Sequence, residues 1–206
     1  PVSSKESGYL SFSEFNLEVD ETVLTKADPA GDNYSIVIYD AEGTQAAAMT
    51  YAQVRDNNNM ITLPAGSYTL VARSLAGEVP AASWENPIYG TTKEFTIRAG
   101  ETTALGELVC TLVQCKVTVS YSDDFLASVT GEGKTSVEVT AGYPLDYQLS
   151  ANGTYDQSAG FFAVNGNTMK VEFKGIINGK TAKMTKTFTG IAPKQWRQVR
   201  FVQKTN

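Results

Sequence analysis

The chain has 206 residues, room for one large domain or two sandwiches of about 100 residues each. Its 42% hydrophobic content lies well above the disordered regime, and a net charge of -5 with dispersed basic residues argues against nucleic-acid binding, which needs a clustered cationic face. There is no histidine, so the commonest general base, triad orienter and transition-metal ligand are all missing, and a non-enzymatic role without a cofactor is expected.

No stretch approaches the ~20 apolar residues that span a bilayer. The opening PVSSKES reads as a polar tether following a removed leader. GYLSFSEF (8–15) follows as a candidate edge strand, then the turn-forming DPAGDN (28–33). YSIVIYD (34–40) is the first clear strand, closed by DAEGTQ. AMTYAQVRD (48–56) is balanced between strand and short helix.

In ITLPAGSYTLVARS (61–74), ITL reads as a strand end and Pro64-Ala65-Gly66 as a turn, with Pro fixing φ at the first corner and Gly supplying a positive φ. The string is internal, leads into more strand and lacks a Thr-Gly pair, so it is not a cell-wall sorting signal. The strand after it points Tyr68, Leu70 and Ala72 one way and Thr69, Val71 and Arg73 the other. KEFTIRA (93–99) repeats the pattern with Phe95 and Ile97.

VQCKVTVSY (113–121) alternates most clearly, with Val113, Cys115, Val117, Val119 and Tyr121 on one face and Gln114, Lys116, Thr118 and Ser120 on the other. TSVEVTA, PLDYQLS and TMKVEFKG continue in the same way. The last strand is WRQVRFVQK, with Val199 and Phe201 inward. INGK (177–180) predicts a type I′ hairpin through Asn178-Gly179, joining strands near 168–177 and 180–189. GEGK (131–134) and VNGN (164–167) read as two further hairpins.

Strands recurring every 8 to 12 residues between Gly, Asn, Asp and Pro turns define β-sandwiches, and roughly 14 of them suit two sandwiches of about seven each. The expected fold is therefore all-β, two tandem antiparallel β-sandwich domains at 1–110 and 111–206, divided in the region 105–115. Cys110 and Cys115, the two thiols, would lie about 16 Å apart on an extended strand, beyond disulfide reach. They read as small apolar side chains of a core.

The most site-like stretch is SWENPIYG (83–90). Trp84 and Tyr89 offer aromatic faces for a sugar ring, and Glu85 and Asn86 offer partners for its hydroxyls. The competing role for both rings, and for Trp196, is plugging the end of a sandwich. DNNN (56–59), DPAGDN and Asp123-Asp124 carry oxygen ligands of the kind Ca²⁺ takes, but none follows a calcium-loop spacing; they read as solvated turns, and no metal is expected.

NPIYGTTKEFTIRAGETTALGELVCTLVQCKVTVSYSDDF, together with YSIVIYDAEG and the closing TGIAPKQWRQVRFV, resembles a group of Bacteroidales surface lipoproteins: the fimbrillin-like, cell-adhesion group with transthyretin-like sandwiches. The shared pattern is Tyr-Gly before a Phe-x-Ile strand, then Ala-Gly-Glu-Thr-Thr, then a Cys/Leu-rich stretch into Lys-Val-Thr-Val. The resemblance covers most of the chain, is strongest over about 34–125, and brings no catalytic or ligand residues. It implies exposure at the cell surface of the outer membrane, an anchor on a lipidated Cys upstream, and assembly by strand exchange. The expected partners are accordingly a protein or further subunits at edge strands, with GYLSFSEF and WRQVRFVQK as candidates, or a surface glycan. Membrane contact comes through that anchor alone.

Overall fold

The structure, a computed structural model, describes the backbone of residues 15–23 and the full residues 33–57, 60–105, 108 and 110–203. Most of DPAGDN, all of GYLSFSEF before Phe15, and Asn58 and Asn59 of DNNN lie outside them. Contacts group the chain into two interleaved units: Pro1–Val23, Pro80–Asn86 and Gln114–Asn206 form one, Leu24–Val79 and Pro87–Val113 the other. The chain thus divides at four places rather than once near 110.

The first unit is a two-layer sandwich. One sheet runs in the order β1 (Phe15–Val23), β14 (Gln195–Gln203), β8 (Gln114–Tyr121), β11 (Gly160–Ala163), β5 (Ala82–Trp84). The other runs β10 (Leu145–Leu149), β9 (Gly133–Val139), β12 (Met169–Ile177), β13 (Lys180–Phe188). Alternation places Cys115, Val117, Val119 and Tyr121 of β8 inward against Val137, Val171 and Phe173 of the facing sheet. Val199 and Phe201 of β14 join them, as the sequence predicts.

At one end, α2 (Asp123–Ser128), capped by Ser122 accepting from the Phe125 N–H, turns Phe125 into this core. Phe125 stacks with Tyr121 at 5.4 Å and meets Phe173 edge-on at 5.4 Å, while Phe201 lies 5.1 Å from Tyr121. Burial of each Phe ring contributes roughly 2–3 kcal/mol, and these geometries add to it.

Three expectations for this unit are corrected. β14 pairs with β8 in parallel, Val199 opposite Val119, so the sheet is not wholly antiparallel. It is also an interior strand, covered on its other side by antiparallel β1 over nine residue pairs, Phe15 opposite Gln203 through Val23 opposite Gln195. VNGN and GEGK are not hairpins: VNGN carries the chain from one sheet to the other, GEGK leads from α2 into β9, and neither contains a positive φ. INGK does form the expected hairpin, with Asn178 at φ 48° and Gly179 at φ 75° joining β12 to β13.

The second unit holds one five-stranded sheet among its described residues, in the order β3 (Gln45–Thr50), β2 (Ser35–Asp40), β4 (Gly66–Arg73), β6 (Tyr89–Ile97), β7 (Thr111–Leu112). Among the described residues strand numbers are therefore nine and five rather than about seven each. Ile36, Ile38, Tyr68, Leu70 and Ala72 form its core, with Phe95 and Ile97 packed against them. In place of a second sheet, Val54, Ile61, Leu63, Leu105 and Leu108 cover the apolar residues.

The ambiguous 48–56 stretch is both strand and helix: β3 ends at Thr50, which starts α1 (Tyr51–Asp56) through a capping box with Gln53. Ile61–Leu63 are not strand, and Gly66 opens β4 without a positive φ; the turn is held instead by the Tyr68 hydroxyl donating to the Pro64 carbonyl at 2.9 Å. Val113 lies outside both β7 and β8 and donates to the Ile88 carbonyl.

Candidate functional site

The four residues singled out at 84–89 are distributed over the two units. Tyr89 opens β6, is half-buried against the second unit's core, and donates its N–H to Ser74 Oγ. Trp84 ends β5 in the first unit, followed by exposed Glu85 and Asn86. Trp84 is partly packed and partly exposed. Its ring meets the buried Tyr147 edge-on at 4.7 Å, yet the residue keeps 37% of its surface exposed.

The backbone just after that ring is fixed on two sides. Glu85 sits at φ 47°, donates its N–H to the Ala159 carbonyl, and accepts the Ala159 N–H on Oε1. Tyr147, 1% exposed, donates its hydroxyl to the Val117 carbonyl at 2.7 Å. Burial pushes the Tyr147 and Tyr121 hydroxyls up from the usual phenol range, so both stay protonated.

Sequence reasoning missed the neighbouring turn, TAGYP (140–144). It links β9 to β10 with Thr140 at φ 53° and Ala141 at φ 50°, closed by the Gly142 N–H on the Val139 carbonyl. A β-branched residue in this region is strained. Tyr143, the next residue, is 76% exposed. The Ala-Gly before Tyr-Pro was the available signal of a turn.

Trp196 packs at the rim of the sandwich: its Nε1 donates to Thr118 Oγ1 at 2.9 Å, and Lys116 Nζ lies 4.2 Å over the ring. Cys110 and Cys115 are buried thiols in the cores of the second and first unit respectively, and burial pushes the Cys110 thiol up. Neither has the access that a nucleophilic thiol needs.

On the outer face of β12, Glu172 holds Lys174 Nζ at 2.8 Å and Lys183 Nζ at 3.3 Å. The hydrogen bond from Lys174, with that from Lys183, lowers its carboxyl to about 2 against the burial that opposes ionisation. Burial likewise opposes ionisation of Asp146, but hydrogen bonds from Lys134 and Ser136 outweigh it and hold the carboxyl low. These are committed ion pairs, whereas a general acid needs a raised pKa.

Asp123 and Asp124 lie in the first turn of α2, and among the described residues no group of three His, Cys, Asp or Glu is placed to hold a metal. The second unit also contains a cavity of about 720 Å³ whose apolar lining includes Ile36, Val54, Leu63, Leu70 and Phe95. No helix among the described residues is long and apolar enough to cross a membrane.

Fold and surface together define an all-β protein whose exposed features are sheet edges, ion-pair ladders and turn-borne aromatic rings. The chain belongs to the family described as a domain of unknown function, DUF4493, whose profile matches residues 6–206. No curated protein matches the sequence. Among solved structures, it is similar to a "putative cell adhesion protein" of Bacteroides fragilis, at 12% identity over 84% of each chain with a TM-score of 0.34. A "putative adhesin" of Bacteroides ovatus aligns at 12% identity, 79% of this chain, 70% of the other and a TM-score of 0.39. The major pilin of Streptococcus pyogenes aligns at 11% identity, 94% and 99% coverage and a TM-score of 0.23.

Proposed function

We propose that the chain is a non-enzymatic cell-surface module of the adhesion or fimbria-related kind, lipid-anchored at the outer membrane through a segment upstream. It works without a cofactor, through displayed loops and through addition of a strand to a partner. The observation that carries this reading is the β1–β14 pair. Among the described residues β1 is an edge strand paired along one side alone, while β14 behind it is the interior strand that displacement of β1 would open to another strand. A surface of ion pairs already committed within the sheet and deeply buried thiols fits a binding protein better than a catalyst.

A second reading, capture of surface polysaccharide, is favoured by one observation, the 37% exposure of Trp84 beside Glu85 and Asn86.

The test is adherence of protein-coated beads to epithelial monolayers and to intact bacteria, paired with a strand-uptake assay. In the latter, a chain lacking residues 1–23 is offered a labelled peptide of residues 15–23. Adherence above that of albumin-coated beads, with saturable peptide uptake, supports the reading. Failure of both would end it.

A further inference from the structure

The exposed edge between β5 and β10 in the first unit carries two aromatic rings and two strained turns. A Cβ on Gly142 would lie 3.9 Å from Ala81 Cβ, so the TAGYP turn rests against the residue just before β5. Three residues further along the chain, Trp84 rests on Tyr147 of β10. The segments Ala81–Trp84 and Gly142–Tyr147 are therefore neighbours at both ends. Tyr143 stands at the first end of this edge and Trp84 at the second. Three residues of extended chain put the backbones of the two ends about 10 Å apart.

We propose that Trp84 and Tyr143 form a two-ring platform for a neutral oligosaccharide chain. This rests on the adhesive reading above and names the displayed loops it requires. The chemistry follows from the parts. Apolar ring faces exposed to water stack on the C–H faces of pyranoses, and a 10 Å spacing matches a short oligosaccharide rather than a monosaccharide.

Trp84 is pre-set, braced by its edge-on contact with Tyr147 and by the two-way Glu85–Ala159 clamp beyond, so binding costs little side-chain entropy. Thr140 and Ala141, in the left-handed region, turn the chain so that Tyr143 stands out in water. Glu85 and Asn86, exposed beside Trp84, supply groups for sugar hydroxyls, and the Glu85 carboxylate disfavours sulfated or uronic-acid glycans.

The experiment uses the full chain carrying Trp196→Phe, which leaves Trp84 as the single reporter of the chain's two tryptophans. Its emission is followed during titration with maltohexaose, cellohexaose and mannohexaose, and with glucose and mannose. The expected result is a saturable change with one hexasaccharide, at least ten times weaker with the monosaccharides. Tyr143→Ala should weaken that binding about ten-fold, and Tyr143→Phe, which keeps the ring, should restore it.

Tyr143 is too exposed for its loss to unfold the chain, so a negative result with it is informative even if Trp84→Ala folds poorly. No saturable response to any of the three at millimolar concentration, or unchanged affinity in Tyr143→Ala, overturns the platform. Beads bearing Trp84→Ala/Tyr143→Ala that adhere as well as wild type overturn the platform and leave adhesion standing. Wild-type beads that never adhere overturn the adhesive reading instead.

Discussion

Gly160→Ala is the most revealing single substitution in the first unit. Gly160 lies in β11 opposite Trp84 of β5 and Val117 of β8. A Cβ there would fall inside van der Waals contact of the Tyr147 hydroxyl oxygen, 2.9 Å from Phe162 Cε2 and 3.0 Å from Leu145 Cδ1. Phe162 is 0% exposed and Tyr147 is tied to the Val117 carbonyl, so the neighbours have little room to yield. Overpacking costs about 1–3 kcal/mol, and breaking the buried Tyr147 hydrogen bond adds about 1 kcal/mol, for a loss of about 2–4 kcal/mol.

Urea unfolding followed by tryptophan emission measures this loss, and a double-mutant cycle tests its cause. Tyr147→Phe alone should cost about 1–2 kcal/mol by leaving the Val117 carbonyl short of a donor. In the Tyr147→Phe background, Gly160→Ala should cost at least about 1 kcal/mol less, because the hydroxyl it strikes is gone. Strict additivity would refute the proposed clash and place the strain at Phe162 or Leu145.

Glu172→Gln should destabilise the chain by about 1 kcal/mol at neutral pH, the exposure of the two lysines keeping the figure small. The folded carboxyl is held below its unfolded value, so its contribution is complete above pH 4.5 and fades as pH falls toward about 2. Unfolding midpoints of variant and wild type, measured across that interval, should converge. Lys194→Gly should stabilise by roughly 0.5–1 kcal/mol, since Lys194 sits at φ 71° and glycine adopts that conformation without a Cβ penalty; thermal unfolding checks it. A thiol reagent such as Ellman's should label neither Cys115, at 0% exposure, nor Cys110, at 8%, until denaturant is added; rapid labelling of the native chain would contradict their place in the cores.

Features written in short windows of sequence were legible. The faces of β4, β8 and β14 follow from alternation, and Asn178-Gly179 specifies its own turn because few residue pairs tolerate two positive φ values. Pairing between distant strands was not. Nothing local to WRQVRFVQK says that its neighbours are β1 and β8, or that one of them runs parallel, since alternation encodes which face is buried and not which strand lies alongside. VNGN misled for the same reason: Asn-Gly permits a tight hairpin, but here the flanking strands belong to different sheets and the backbone never enters the left-handed region.

At the candidate site, Trp84 was visible because a tryptophan in a polar loop stands out. Tyr143 was not, because its exposure depends on the strained turn before it, and Thr-Ala is not a pair from which two positive φ values would be inferred.

The position of β14 also constrains the order in which the molecule can be made. β14 fills the gap between β1 and β8, and it brings Val199 and Phe201 to the core. Ribosomes and secretion channels deliver a chain from its N-terminus, so β1 and β8 emerge with their shared partner still more than seventy residues away, counted from Tyr121 to Gln195. Until it arrives, both present open edges, and β8 an uncovered apolar face. The first unit therefore closes last and all at once, whereas the strands of the second unit, finished by Leu112, are free to pair earlier. A chain stalled short of Gln195 should be held open, sticky and in need of a chaperone, and its release into a folded state should coincide with delivery of the final strand.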